Sequence, residues 1–303
     1  MAEASVVLVL GGTGFIGKRV VDRLEASDRF SVHPASREHI DLRLEAEIDR
    51  LAATVSPGSV LVVCAGVQRF HGDSPTLFRA NVEIAGASVR LAARTGCRRI
   101  VFFSSVAVYG ESTTNLAISE QTPPRPETFY GLSKLASEEI FTAAASAAGW
   151  SVLQIRPTLV YGPGNDDVPY RPASFARELA SGSVPVLWGD GTETRDLVHV
   201  DDVAEATVSL IAAGAEGIVV VASGARSSFR ECVSELLALS GRPNVKIPMR
   251  ERTGPRSDQA FDNSLLTQLL GGFEPRSLRS GLSEVWTAVS SAWAPPFGSG
   301  SER

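Results

Sequence analysis

Along the first half of the chain, short unbroken apolar runs alternate with longer stretches in which apolar positions recur every three or four residues. The runs "SVVLVL" (5–10), "FSVHPA" (30–35), "SVLVVCA" (59–65), "RIVFFSS" (99–105), "SVLQIRP" (151–157) and "GIVVVAS" (217–223) predict strands. Those near 6, 60, 100 and 152 are continuously apolar, as parallel strands covered on both faces must be. Helical periodicity fills 15–27, 43–55, 75–95 and 130–149 between them. This alternation predicts an α/β fold, a Rossmann-type doubly wound parallel sheet with right-handed crossovers. After residue 157 the rhythm breaks: "YGPGNDDVPYRP" and "WGDGTETRD" read as loops. Helical patterns return at 202–213, 228–240 and 279–291.

Composition narrows the class. A chain of 303 residues with 44% hydrophobic and 21% charged residues is an ordinary globular protein. A net charge of −5 argues against a nucleic-acid or anionic-membrane surface. The apolar runs are too short to span a bilayer, and no charged segment with a small-residue cleavage site precedes the first. Cys64, Cys97 and Cys232 are odd in number and lack CxxC spacing, which points to reduced thiols in the cytoplasm. His33, His39, His71 and His199 have no metal-ligand spacing, so no metal site is expected.

Candidate chemistry begins at "VLVLGGTGFIGKRV". Gly11, Gly14 and Gly17 follow a strand and open a helix through Phe15 and Ile16. Gly11 suits the tight turn, Gly14 lets a pyrophosphate approach, and Gly17 lets helix pack on strand. Free N–H groups and the positive end of the helix dipole complete a dinucleotide site. Without strand and helix in place, such glycines are only a turn. A ribose with a free 2′-OH is usually held by an acid about 20 residues beyond the glycines. Here Ala35, Ser36 and Arg37 come first, and the first carboxylate is Glu38. A hydroxyl and a guanidinium suit a 2′-phosphate, so NADP is favoured, with NAD as the alternative. The 1–157 segment plus about 196–223 is then the dinucleotide-binding domain. Residues 158–195 and 224–293 make a smaller, discontinuous substrate lobe, and 294–303 a flexible tail.

Ser105 falls at the end of an apolar strand, where open α/β sheets bind ligands. Tyr130 and Lys134 share one face of a helix. A phenol is a poor base at neutral pH, and a neighbouring ammonium favours its ionised form. Ser105 would hydrogen-bond a substrate oxygen and Tyr130 exchange its proton, while a nicotinamide carries hydride. Only Lys18, Lys134 and Lys246 are lysines, so Lys134 is not compositional noise.

"GGTGFIG", "SSVAVYGE", "YGLSK", "RPTLVYGPG" and "RDLVHVDDVA" together resemble the extended short-chain dehydrogenase/reductases, the NAD-dependent epimerase/dehydratase family, over about residues 5–290. The resemblance implies a nucleotide-sugar substrate, a cytoplasmic homodimer formed through helices 75–95 and 130–149, and catalytic roles for Ser105, Tyr130 and Lys134. It also implies cofactor contacts from Asp41, Leu42, Cys64, Ala65 and Gly66, and substrate contacts from Val106 and Arg195. Arg195 would grip the substrate's diphosphate, as a forked guanidinium can. Asn81 matches a family asparagine near the site, with a buried structural role equally open. Asp201 reads as the N-cap of the helix near 202. Trp188 reads as a core residue, with stacking on a base as the alternative. The linker 118–129 holds three prolines, which exclude helix; it reads as a plain connector, with walling the site as the alternative its position allows.

Departures from the family narrow the reaction. Val106 and Ala107 stand where the 4,6-dehydratases carry an Asp-Glu pair, so elimination lacks its acid and base. The GDP-fucose synthase branch has a cysteine at the place of Ala107, which leaves its carbon epimerisation unsupported. Arg37 falls where that branch has its 2′-phosphate arginine. Leu159 replaces the asparagine usual in UDP-galactose 4-epimerases. Hydride transfer at C4 remains: first a 4-ketoreductase of a 4-keto nucleotide sugar, then a UDP-hexose 4-epimerase with retained NAD. A non-catalytic dinucleotide-binding sensor or assembly factor is the alternative from another class.

Overall fold

A computed structural model of the chain describes residues 5–36, 38, 40–111, 114–164, 172–254 and 256–292. In chain order the first elements are β1 (Ser5–Leu10), α1 (Phe15–Glu25), β2 (Phe30–Ala35), α2 (Glu45–Ala52), β3 (Val60–Val63) and α3 (Pro75–Thr95). Then come β4 (Arg99–Phe103), β5 (Asn115–Ile118), α4 (Phe129–Ala148), β6 (Ser151–Pro157), β7 (Leu159–Tyr161) and α5 (Ala173–Ala180). β8 (Leu187–Trp188), β9 (Thr194–His199), α6 (Val200–Ala212), β10 (Gly217–Val221), β11 (Arg226–Ser228) and α7 (Phe229–Leu239) follow. The chain closes with β12 (Met249–Arg250), β13 (Gln259–Phe261), α8 (Ser264–Leu270) and α9 (Leu278–Ala292). Short 3-10 turns lie at Arg69–His71 and Val106–Tyr109.

Six strands form one parallel sheet in the order β10-β6-β4-β3-β1-β2. The chain leaves β1 toward β2 and returns to β3 on the other side. The crevice beyond their carboxyl ends is thus a topological switch point, where ligands bind in open α/β sheets. The unbroken apolar runs have a simple cause. Val7, Val9, Val62, Val101 and Phe103 face α1 and α6, against Val20, Leu24 and Val203. Leu8, Leu10, Leu61, Ile100 and Phe102 face the opposite layer, with Ile48 of α2, Leu91 of α3 and Phe141 of α4. Both faces are dry, so polar positions in these runs are few, and those in β6, Gln154 and Arg156, are buried with hydrogen-bond partners.

A second apolar cluster joins α5, α7 and α9 through Phe175, Leu179, Val233, Leu236, Leu282 and Val285. Around it β9 pairs with β7 and β11, and β12 with β8, while β13 pairs with β5 beside a separate cluster of Val108, Tyr109, Ile118, Val220 and Phe261. No helix among the described residues is long and apolar enough to cross a membrane.

Several expectations need correcting. The stretch 188–196 is not all loop, because Thr194 opens β9. That strand runs into α6 without a gap, so His199 rather than Asp201 is the N-cap: its Nδ1 accepts from the Asp201 N–H at 3.3 Å. Asp201 instead lies in the first helical turn, where a carboxylate complements the dipole. β3 stops at Val63 and β4 at Phe103, which releases Cys64, Ser104 and Ser105 from the sheet.

Helix α4 is bound to β6 by a buried ion pair. Arg156 donates from Nε to Glu138 Oε1 at 2.8 Å and from Nη2 to Oε2 at 2.6 Å. Its Nη1 donates to the Tyr109 hydroxyl at 2.8 Å. Such a pair adds little net stability but leaves a costly buried charge when broken. It therefore fixes α4 to the turn that follows β4.

Close approach explains the first glycines. A Cβ on Gly17 would lie 2.1 Å from the Gly11 carbonyl oxygen, which is backbone and cannot swing away. Gly17→Ala is expected to lower stability by about 1–3 kcal/mol, read from urea unfolding. Gly86→Ala on α3 is the control, because its methyl would meet only Arg90 Nη1 at 3.7 Å. Equal midpoints for the two variants would contradict the packing argument.

Candidate active site

The turn after β1 is fastened before any ligand arrives. Gly11 and Gly12 donate to the Ala35 carbonyl at the end of β2, at 2.8 and 3.2 Å. Gly11 holds φ at +78°, and a Cβ there would lie 2.8 Å from the Ala65 nitrogen, so the segment Cys64-Ala65-Gly66 passes directly against the turn. Helix α1 then starts at Phe15 with Gly14 as N-cap and no side-chain cap, and its first turn holds no acid. By contrast Ser74, Thr128 and Ser228 cap α3, α4 and α7. An uncapped helix start at a switch point is a place for an outside anion, and it fits the pyrophosphate of a dinucleotide.

At the end of β2, Ser36 is buried and its carbonyl accepts from the Ile40 N–H at 3.0 Å. Arg37 lies outside the described residues. Asp41 is drawn down to about 2 by its hydrogen bonds from exposed Arg43, and Leu42 packs against the α2 side of the core. Cys64 is half-buried beside the first core layer. Burial pushes its thiol up to about 12, with Lys134 pulling the other way, so it is neutral at pH 7.

The three residues expected to act together stand on adjoining elements. Lys134, one turn into α4, is buried and donates from Nζ to the Phe103 carbonyl at 2.8 Å. Its nitrogen lies 5.7 Å from the centre of the Tyr130 ring, and a Cβ on Gly66 would meet it at 3.4 Å. The ammonium thus stands between the tyrosine, the end of β4 and the end of β3. Burial pulls it down to about 8, against the upward pull of Cys64 and Glu138. With the thiol neutral, Glu138 is the charge that supports it. Ser105 caps the 3-10 turn: its Oγ accepts from the Ala107 N–H at 3.1 Å, which leaves its own proton to donate. Val106 starts that turn. α4 reaches the turn because residue 131 is glycine; a Cβ there would lie 2.5 Å from the Ala107 oxygen.

Asn81 acts as a structural tie. Its Oδ1 accepts from the Val67 N–H at 2.7 Å, and its Nδ2 donates to Val67 O at 3.1 Å and Ser133 Oγ at 3.0 Å. Sequence reasoning missed Glu138, four residues beyond Lys134 and so on the same face, and Arg156, whose charge inside an apolar run was the available signal. It also missed Asp73, whose carboxylate accepts from the Phe129 and Tyr130 N–H groups and which nothing in the local pattern marks.

Arg195 belongs to a separate charged group. It donates from Nη2 to Glu193 Oε1 at 2.5 Å and from Nη1 to Thr194 O at 3.0 Å, and it also reaches Ser257 O. Arg252 pairs with the other oxygen of Glu193. Beside them lies a cleft of about 260 Å³ lined by Leu187, Trp188, Glu193, Phe229 and Arg252. Trp188 is not a core residue: it is half-buried on this rim, and Arg250 stacks on its ring at 3.6 Å. Elsewhere, ligand atoms of His199, Asp201 and Glu284 lie within 4.8 Å of one another, a grouping no sequence spacing marks. Arg276 and Arg19 already pair with these acids.

The chain is similar to known proteins in sequence and in fold. A model of the NAD dependent epimerase/dehydratase family matches residues 7–222. A UDP-glucose 4-epimerase of Vibrio cholerae is 31% identical over 262 residues, covering 80% of this chain and 78% of that protein. A dTDP-4-dehydro-6-deoxy-D-allose reductase of a Streptomyces species is 27% identical, covering 92% of this chain and 94% of its own. The solved structure of the Thermus thermophilus UDP-glucose 4-epimerase with NAD has a TM-score of 0.83 at 25% identity, over 95% of this chain and 99% of that one. With a glycine turn, a parallel sheet and a serine, tyrosine and lysine at its mouth, this chain is an enzyme that belongs to the NAD-dependent epimerase/dehydratase family.

Proposed function

We propose that this enzyme is an NADP-dependent 4-ketoreductase of a nucleotide-activated hexose. The observation that carries the reading is the approach of Lys134 Nζ to Tyr130 beside the end of β4, next to a turn in which Val106 and Ala107 offer no acid or base. When bound, a reduced nicotinamide supplies the hydride to C4. Ser105 donates its hydroxyl proton toward the C4 oxygen and holds it in place. Tyr130 gives its phenolic proton to the same oxygen, so the ketone becomes an alcohol, and the Lys134 ammonium stabilises the phenolate left behind. Arg195 and Arg252, held as a pair by Glu193, suit the two phosphates of a nucleotide sugar. Ser36 and Arg37 favour a 2′-phosphate. The identity to a UDP-glucose 4-epimerase supports a second reading, interconversion at C4 with the dinucleotide retained.

We also propose a homodimer through α3 and α4, where Phe129 and Leu132 are 40% and 43% exposed. Sedimentation should give twice the chain mass, and a monomer at micromolar concentration would contradict it.

Wild type should consume NADPH in step with a dTDP- or GDP-linked 4-keto-6-deoxyhexose and prefer NADPH to NADH. Tyr130→Phe should lose about 10²–10⁴-fold in kcat while binding cofactor normally. Interconversion of UDP-glucose and UDP-galactose without added reductant would establish the epimerase instead, and unchanged turnover in Tyr130→Phe would remove both.

A further inference from the structure

The first turn of helix α4 carries Tyr130, the residue that does the proposed chemistry, so it must not fray. The first intrahelical bond there runs from the Leu132 N–H to the Thr128 carbonyl, at 2.9 Å. The amides of Phe129, Tyr130 and Gly131 precede it and need partners from outside the helix. Thr128 Oγ1 takes the Gly131 N–H at 2.9 Å. A single carboxylate takes the other two: Asp73 accepts from the Phe129 N–H through Oδ2 at 3.1 Å and from the Tyr130 N–H through Oδ1 at 2.9 Å.

This cap is not local, since Asp73 lies 57 residues before Tyr130. It sits in the segment that runs from the end of β3 to α3, and that segment is itself pinned. Asn81 holds Val67 by both its N–H and its carbonyl, and Arg69 pairs with Glu111 just past the 3-10 turn that Ser105 caps. Ser74 caps α3, accepting from the Leu77 N–H at 3.3 Å. Asp73 is therefore held between fixed points and cannot follow a fraying helix. The contrast with α1 is informative. That helix leaves its positive end open beside the glycine turn, whereas α4 carries a built-in anion at the same place, where it also complements the dipole.

We propose that Asp73 is a positioning residue: by holding the Phe129 and Tyr130 amides, it sets the place from which the Tyr130 phenol reaches the substrate. The proposal rests on the reading of Tyr130 as the proton donor. The Asp73 carboxylate binds the Phe129 and Tyr130 amides, away from the glycine turn and from the Lys134–Phe103 contact, so cofactor binding should be spared.

The test compares Asp73→Ala and Asp73→Asn in the full chain by three measurements. These are hydrogen exchange at the 129 and 130 amides, NADPH affinity, and NADPH consumption with dTDP-4-keto-6-deoxyglucose or its GDP-linked counterpart. Asp73→Ala should exchange roughly tenfold faster at those two amides, as expected for a lost cap, with amides of the central strands unchanged. Its kcat should fall about 10–100-fold, while KM and NADPH affinity stay within about twofold. Asp73→Asn keeps one carbonyl oxygen as acceptor and should recover part of both losses; it also serves as the test protein should the alanine variant fold poorly. Wild-type exchange at both amides in the variants, or a loss of kcat without faster exchange, would overturn the proposal. The exchange arm needs no substrate. It decides the cap even if no 4-keto sugar is turned over, an outcome that would count against the reductase reading alone.

Discussion

One contact organises the site: the buried ammonium of Lys134 on the carbonyl of Phe103. A charge taken out of water must find compensation, and here it comes from a backbone oxygen at the end of β4 and from Glu138 one turn along the same helix. The first ties α4 to the strand that delivers Ser105. The second is shared with Arg156 of β6, whose third donor reaches Tyr109 in the turn beyond Ser105. Helix, strand and turn are thus joined through charged groups none of which can be removed without stranding another. The site is rigid because its electrostatics leave few alternatives.

The same logic separates the two ends that a dinucleotide and its reaction need. At α1 the helix start is bare, with glycines packed where a Cβ on Gly11 or Gly17 would strike neighbouring backbone. At α4 the helix start is filled by Thr128 and Asp73. One is built to receive charge, the other to hold a phenol still. Between β8 and β13, the Arg195–Glu193–Arg252 group keeps two guanidinium groups on one carboxylate, an arrangement that would otherwise cost repulsion.

Much of this was legible in the chain. Strands β1, β2 and β6 and helix α3 have the expected bounds, and for β1 the cause is plain: Val7, Leu8, Val9 and Leu10 are all buried, so both faces demand apolar residues. The glycine turn was legible for a similar reason: only glycine fits 2.1 Å from a carbonyl. What escaped depends on long-range pairing. β9 takes its partners from β7 and β11, and its residues Thr194–Asp196 look like loop until those strands exist. His199 displaced Asp201 as the cap because strand and helix meet without a turn. Asp73 and the two-faced role of Glu193 are tertiary facts, invisible to any local window.

The enzyme contains only three lysines, Lys18, Lys134 and Lys246, so the state of the buried Lys134 ammonium can be read without overlap. Burial holds the folded-state pKa of Lys134 below its ordinary value of 10.5, so its stability contribution is present above that pH and lost as pH falls through about 8. A titration of isotopically labelled lysine side chains followed by NMR should show one resonance titrating near 8, absent from Lys134→Met and displaced when NADPH is added. Three lysines that all titrate near the ordinary value, with none responding to cofactor, would contradict the account.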